Sequence, residues 1–171
     1  MGQRNLGLEW LRHKFGQTPH SGVDGVVYFA DDDNTYDLRL FNYIRQVRGV
    51  ACWPVAFTGK LLALGYAKVE AGVVKSWKTG WRPEREFALD MAAFAVHLSL
   101  ILKHPQALFG GNCEQGMFES CFLQSFAGLR KENLTVFGLE GAEGQKEVLV
   151  WHTNTKQNAI SLKGMKNGFI I

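Results

Sequence analysis

Three consecutive carboxylates, Asp31-Asp32-Asp33, follow directly on the apolar run Val26-Val27-Tyr28-Phe29-Ala30. A run of this β-favouring type reads as a buried strand. The triplet then sits at the strand's C-terminal end, where open α/β sheets bind ligands. Adjacent aspartates repel one another, and a divalent cation would supply the missing counter-charge. Hard carboxylate oxygens suit Mg²⁺ or Mn²⁺. The chemistry this pattern would serve is a metal–diphosphate site. An acidic loop whose Asx turn caps the next helix would use the same residues.

Other residues of chemical interest stand at expected element ends. Asp90 precedes the apolar stretch Met91, Phe94, Ala95, Leu98, Ile101 and Leu102, so it is placed to accept backbone N–H bonds at a helix start. Glu119 falls in the first turn of an expected helix over residues 119–129, where the macrodipole favours a carboxylate. By residue type alone that placement accounts for it. His152 follows the run Val148-Leu149-Val150-Trp151, where a histidine faces a ligand cleft, the core or the surface. Trp81 precedes and Arg85 ends the Pro-containing stretch Arg82-Pro83-Glu84-Arg85, which breaks periodic structure and reads as an ordered loop.

The elements that must position these residues alternate between strand and helix. Leu8, Leu11 and Phe15 make one helical stripe before the triplet, with Trp10 nearby. Leu38, Phe41, Ile44 and Val47 predict a helix over residues 36–48 with a core-facing stripe. Residues 50–57 read as a strand that Pro54 bends or confines to an edge. Residues 61–77 read as a hairpin with turn signals at Gly65 and Gly72. Residues 90–102 predict a strong helix ended by His104-Pro105, 138–144 a loop and 147–151 a strand. The fold class is α/β, a mixed sheet flanked by helices.

At 171 residues the chain is one domain by length, long enough to bury roughly 70% of its unfolded surface. Its net charge of +3 is small and scattered, without a basic run or stripe, which argues against a nucleic-acid partner. Cys52, Cys113 and Cys121 lack CxxC spacing, which argues against a zinc site and leaves at most one bridge, unassigned. Asn133-Leu134-Thr135 fits the N-glycosylation acceptor pattern. No stretch of 18 apolar residues occurs, and neither a signal peptide nor the myristoylation pattern is found at the start.

The segment Gly25-Val26-Val27-Tyr28-Phe29-Ala30-Asp31-Asp32-Asp33-Asn34-Thr35-Tyr36 resembles the donor-binding motif of the animal β-1,3-glucuronosyltransferases. Four further stretches match that family in order: Trp53-Pro54-Val55, residues 87–96, Gly116-Met117-Phe118-Glu119-Ser120, and Val148-Leu149-Val150-Trp151-His152-Thr153. The resemblance runs from about Gln3 to about Thr155. It implies a nucleotide-sugar glycosyltransferase fold of Rossmann-like GT-A type, and Mn²⁺-dependent, inverting transfer of glucuronic acid from UDP-glucuronic acid to the 3-hydroxyl of a terminal galactose. It maps the metal ligand onto Asp33, donor contacts onto Asp31 and Asp32, and a diphosphate contact onto His152. The base that deprotonates the acceptor maps onto Glu119, and acceptor contacts onto Trp81, Arg85 and Asp90.

Further expectations rest on the same resemblance. Partners are UDP-glucuronic acid, a galactose-terminated glycan such as the proteoglycan linkage region, and a second copy of the chain. The location is the lumenal side of the Golgi membrane, although no anchor is seen. Residues 1–171 are expected to be one partial catalytic domain with an atypical tail over 156–171. The βαβ units that would hold uridine need 30 or more residues each, and only about 25 residues precede the triplet, so weak UDP binding is expected of the chain alone. Three departures stand out. Asn154 replaces the Arg that usually follows the family's His by two residues, Leu64 falls near an expected acidic acceptor contact, and Ala93 replaces a Gly. Two competing readings are an inactive truncated paralogue serving as a sugar-binding or dimerisation module, and an unrelated metal-dependent phosphohydrolase.

Overall fold

A computed structural model of the protein describes residues 2–17, 24–56, 63–64, 66–138, 146–153 and 169–170. Two four-stranded mixed sheets frame the candidate site. In the first, β1 (Val26–Tyr28), β8 (Phe94–His97), β3 (Val50–Cys52) and β9 (Thr135–Val136) lie in the order β1-β8-β3-β9. β8 runs antiparallel to both β1 and β3, while β3 and β9 are parallel. In the second, β2 (Asn34–Tyr36), β11 (Val150–His152), β4 (Val55–Ala56) and β5 (Ala63–Leu64) lie in the order β2-β11-β4-β5. The chain passes between sheets at Trp53-Pro54, so the strand expected over 50–57 is broken by the bend that Pro54 predicts. Phe57 lies outside the described residues.

The Gly72 turn signal is met by the hairpin of β6 (Tyr66–Glu70) and β7 (Val73–Lys78). Ala71 and Gly72 both have positive φ, as the two-residue hairpin turn of type I′ requires. Gly65 and most of the 138–144 loop lie outside the described residues. A short parallel pair, β10 (Lys146–Glu147) with β12 (Phe169–Ile170), completes the strands described. Expected strand 147–151 is therefore two strands, β10 and β11.

Four α-helices are described: α1 (Gly2–Phe15), α2 (Leu40–Ile44), α3 (Leu98–Lys103) and α4 (Phe118–Gln124). On α1, Leu8 is buried and Leu11 and Phe15 pack against the core, as the stripe predicts. α1 is also tied to α3 and the loop after it. Arg12 donates to the carbonyls of Ile101 (3.3 Å), His104 (3.1 Å) and Ala107 (2.7 Å). The cationic fork thereby serves the Ile101 carbonyl in the last turn of α3, which a helix end leaves orphaned, and two carbonyls of the loop after it.

Three helix expectations are corrected. The helix over 36–48 shrinks to α2, because residues 34–36 pair with β11 as β2. Its predicted stripe is shifted as well: Leu38 is 81% exposed and Phe41 37%, whereas Leu40, Ile44 and Val47 are buried. The helix over 90–102 is instead a 3-10 turn (Met91–Ala93), the central strand β8 and then α3. All four residues of β8 are buried, and a continuous apolar run cannot tell a buried strand from a buried helix. His97 ends the strand and caps α3, its Nδ1 accepting from the Ser99 N–H at 3.3 Å. The helix over 119–129 stops at Gln124.

Candidate functional site

The acidic triplet leaves β1 and leads into β2. Arg4, on α1, pairs with the Asp31 carboxylate. The Tyr36 hydroxyl donates to the Asp31 carbonyl at 2.6 Å. Asp32 is exposed. The Asp33 carbonyl accepts from the Thr153 N–H and from the Thr153 hydroxyl, each at 2.9 Å. The β2–β11 register sets His152 opposite Asn34, with His152 Nδ1 at 3.0 Å from Asn34 Oδ1 and His152 Nε2 at 3.6 Å from Asp33 Oδ2. Among the described residues, Asn34 Nδ2 is the buried side-chain polar atom without a hydrogen-bond partner.

Asp90 does cap the turn that follows it: its Oδ1 accepts from the Ala92 N–H at 3.0 Å. That turn is fixed from outside, since the Trp53 indole N–H (2.8 Å) and the Tyr28 hydroxyl (3.0 Å) both donate to the Ala92 carbonyl. Burial holds the Asp90 carboxyl above the usual carboxylate range. The charges of Asp31 and Asp33 push the same way, against the Ala92 N–H and His152. Burial likewise raises Glu119; Asp90 adds to the rise, and Arg85 and Arg4 oppose it.

The helix carrying Glu119 is positioned by the residue one turn later. Phe122 is fully buried. It stacks on Phe109 with centroids 4.2 Å apart and meets Phe29 edge-on at 5.8 Å. Phe29 stands two residues before Asp31, so aromatic packing links α4 to the triplet. Ser120, also fully buried, donates through its hydroxyl to the Phe87 carbonyl. A disulfide between Cys113 and Cys121 closes the loop that carries Glu119. This assigns the single bridge the sequence left open. Cys52 is a buried free thiol whose pKa is pushed up to about 12 by burial, so it is chemically quiet.

Trp81 is 42% exposed. The Arg85 guanidinium lies 4.5 Å and that of Arg82 5.3 Å from its ring centroid. Arg82 also clamps Glu114 with two bonds of 2.7 and 2.9 Å, stitching the Trp81 loop to the loop before α4. Gly116 completes that junction. Its φ is +83°, and a Cβ there would meet Trp81 Cη2 at 2.9 Å.

Of the predicted residues, Asp33 is thus in contact with His152 and Arg85 with Trp81, while Asp90 feels the charges of Asp31 and Asp33, and Glu119 those of Asp90 and Arg85. Asp32 lies in the triplet without a described partner. Leu64 lies in β5, and Asn154 is outside the described residues. Sequence reasoning passed over Arg4, Asn34 and Gly116. Arg4 did leave a signal: it falls one turn before Leu8 on the α1 stripe, a cation on an otherwise apolar line. Among the described residues no group of three or more His, Cys, Asp or Glu side chains is gathered to hold a metal. A cation held by one carboxylate and substrate phosphates needs no such group. Asp33, with its side chain 55% exposed beside His152, fits that shared arrangement and not a cage made by protein alone.

Carboxylates stand beside strand ends in this mixed α/β domain, and the family to which the chain is matched makes it a glycosyltransferase domain. The chain belongs to glycosyltransferase family 43, whose model matches residues 1–156. It is 45% identical over 168 residues to the human protein named galactosylgalactosylxylosylprotein 3-beta-glucuronosyltransferase 1, a match covering 98% of this chain and 48% of that one. It is 46% identical over 159 residues to the mouse protein named galactosylgalactosylxylosylprotein 3-beta-glucuronosyltransferase 2, covering 91% of this chain and 45% of that one. The chain spans about half the length of the curated relatives it matches. Family membership removes the phosphohydrolase reading, and the relatives are enzymes by name.

Proposed function

We propose that this domain works in the inverting transfer of glucuronic acid from UDP-glucuronic acid to the 3-hydroxyl of a terminal galactose, as in assembly of the proteoglycan linkage region. The observation that carries the reading is Asp33 set against His152 by the β2–β11 register in a family 43 chain.

Glu119 takes the proton of the acceptor hydroxyl as that oxygen attacks the anomeric carbon. The anomeric C–O bond breaks and its electron pair leaves with UDP. The raised pKa of Glu119 makes it a stronger base than an ordinary Glu, which suits general-base work near neutrality. Asp33 would hold Mn²⁺ beside the diphosphate, and the ion would supply charge stabilisation to the leaving group. His152 contacts the diphosphate, and Asp31 and Asp32 the ribose and donor sugar. Trp81 offers an indole face to the apolar C–H face of galactose, with Arg85 and Asp90 as polar contacts. The reading places the domain in the Golgi lumen, and the Cys113–Cys121 bridge supports an oxidising compartment.

The test is transfer of labelled glucuronic acid to a galactosyl-galactose acceptor, with Mn²⁺ and with chelator, by this domain joined to the preceding half of its human relative. Metal-dependent product with a β-1,3 linkage is expected. Metal-independent transfer, or hydrolysis of the donor without transfer, overturns the reading.

A further inference from the structure

Asn133-Leu134-Thr135 is the one N-x-Ser/Thr sequence in the 171 residues, and the chemistry proposed above makes no use of it. It falls where a 3-10 turn (Lys131–Asn133) enters β9. Asn133 and Thr135 are both exposed, while Leu134 between them is buried and anchors the turn. The Asn133 side chain is already oriented, because its Oδ1 accepts from the Arg130 N–H at 2.9 Å. That bond uses the amide oxygen. The amide nitrogen, which would carry a sugar, makes no hydrogen bond among the described residues.

We infer that Asn133 is an N-glycosylation site. The inference rests on the lumenal placement proposed above, which the Cys113–Cys121 bridge supports independently of any glycan. The co-reactant is a lipid-diphosphate-linked oligosaccharide. Asn133 Nδ2 attacks its anomeric carbon and loses one proton as the N–C bond forms. The anomeric C–O bond breaks, and its electron pair leaves with the lipid diphosphate. Attachment leaves the Oδ1 acceptor intact, so the turn keeps its cap.

The location also gives the glycan a physical consequence. β9 ends the sheet order β1-β8-β3-β9, and Asn133 stands two residues before it. A sheet edge is a template for unwanted strand pairing that proteins shield with bulk or charge. A hydrated oligosaccharide at Asn133 would cover that approach. The turn beneath it is held by Glu86, whose Oε1 accepts from the Lys131 N–H at 3.1 Å.

The experiment directs the whole chain into the secretory pathway of cultured cells with an added cleavable signal peptide. Mobility is read before and after peptide-N-glycosidase, with mass mapping of the peptide that contains residue 133. The expected result is loss of one glycan's mass on digestion. Asn133→Gln and Thr135→Ala should both abolish the shift, and Thr135→Ser should retain it. Thr135→Ala leaves the Asn133 cap in place, so its effect is not a folding defect. A secreted, unmodified chain overturns the inference. Expression of the complete gene product, without the added signal, tests the lumenal placement. Modification only with the added signal sinks that placement and leaves Asn133 as a competent site.

Discussion

His152 Nε2 stands 3.6 Å from Asp33 Oδ2, while its other ring nitrogen meets the Asn34 amide oxygen at 3.0 Å. The contact is fixed by backbone register, since His152 and Asn34 are opposed across β2 and β11. The Asn34 amide oxygen can only accept, so Nδ1 is the ring nitrogen that donates to it, and Nε2 is left facing the Asp33 carboxylate.

Asp33→Ala is expected to remove the Mn²⁺ dependence of UDP binding, measured by calorimetry with and without chelator. His152→Ala should weaken binding in both conditions, because it would delete the proposed charge-assisted phosphate contact, about 1.5–3 kcal/mol or roughly 10- to 150-fold in affinity. Equal Mn²⁺ dependence in the wild type and Asp33→Ala would reassign the metal ligand.

Glu119→Gln separates catalysis from donor binding. Turnover should fall about 10²–10⁴-fold, the usual contribution of a positioned base, with UDP affinity unchanged. The acidic limb of the wild-type rate profile should lie above the ordinary carboxylate range, because burial raises the Glu119 pKa. Near-normal turnover in the variant would discard Glu119 as the base.

The same burial has a cost in stability. Asp90 and Glu119 both hold protons more tightly folded than unfolded, so in the window above about pH 4, the unfolded value, the folded state binds more protons. Their contribution to stability should fall as pH rises through that window, until the raised folded values are passed. Thermal melts of the metal-free protein against pH will show it. Asp90→Asn, which retains a capping oxygen, and Glu119→Gln should each flatten the slope.

Gly116→Ala is expected to cost more than an ordinary surface change. Its φ of +83° disfavours any Cβ, and that Cβ would displace the Trp81 ring. The readout that isolates the Trp81 effect is KM for the acceptor, which should rise while the KM for the donor stays level.

Breaking the Cys113–Cys121 bridge should destabilise the domain by about 2–3 kcal/mol, from the entropy of so short a loop. Denaturant melts of the Cys113→Ser, Cys121→Ser double variant measure it. Glu119 lies inside that loop, so turnover should fall further than UDP binding.

The sequence alone determined the α/β class, the triplet at a strand end, the Asp90 cap and the family, because each is a local pattern or an ordered set of motifs. It misread residues 94–97 as helix: an apolar run carries no period when every face is buried, and only pairing with β1 and β3 made it a strand. It placed Leu38 and Phe41 inward because pairing of residues 34–36 with β11 lies over a hundred residues away in the chain. The same long-range packing decided what surrounds each carboxylate. The Arg4–Asp31 pair, the burial that raises Glu119, and the Phe122–Phe29 contact that sets α4 against the triplet depend on surfaces that meet only after folding. Residue type fixed which groups could ionise; tertiary burial and neighbouring charge decided how tightly they hold their protons.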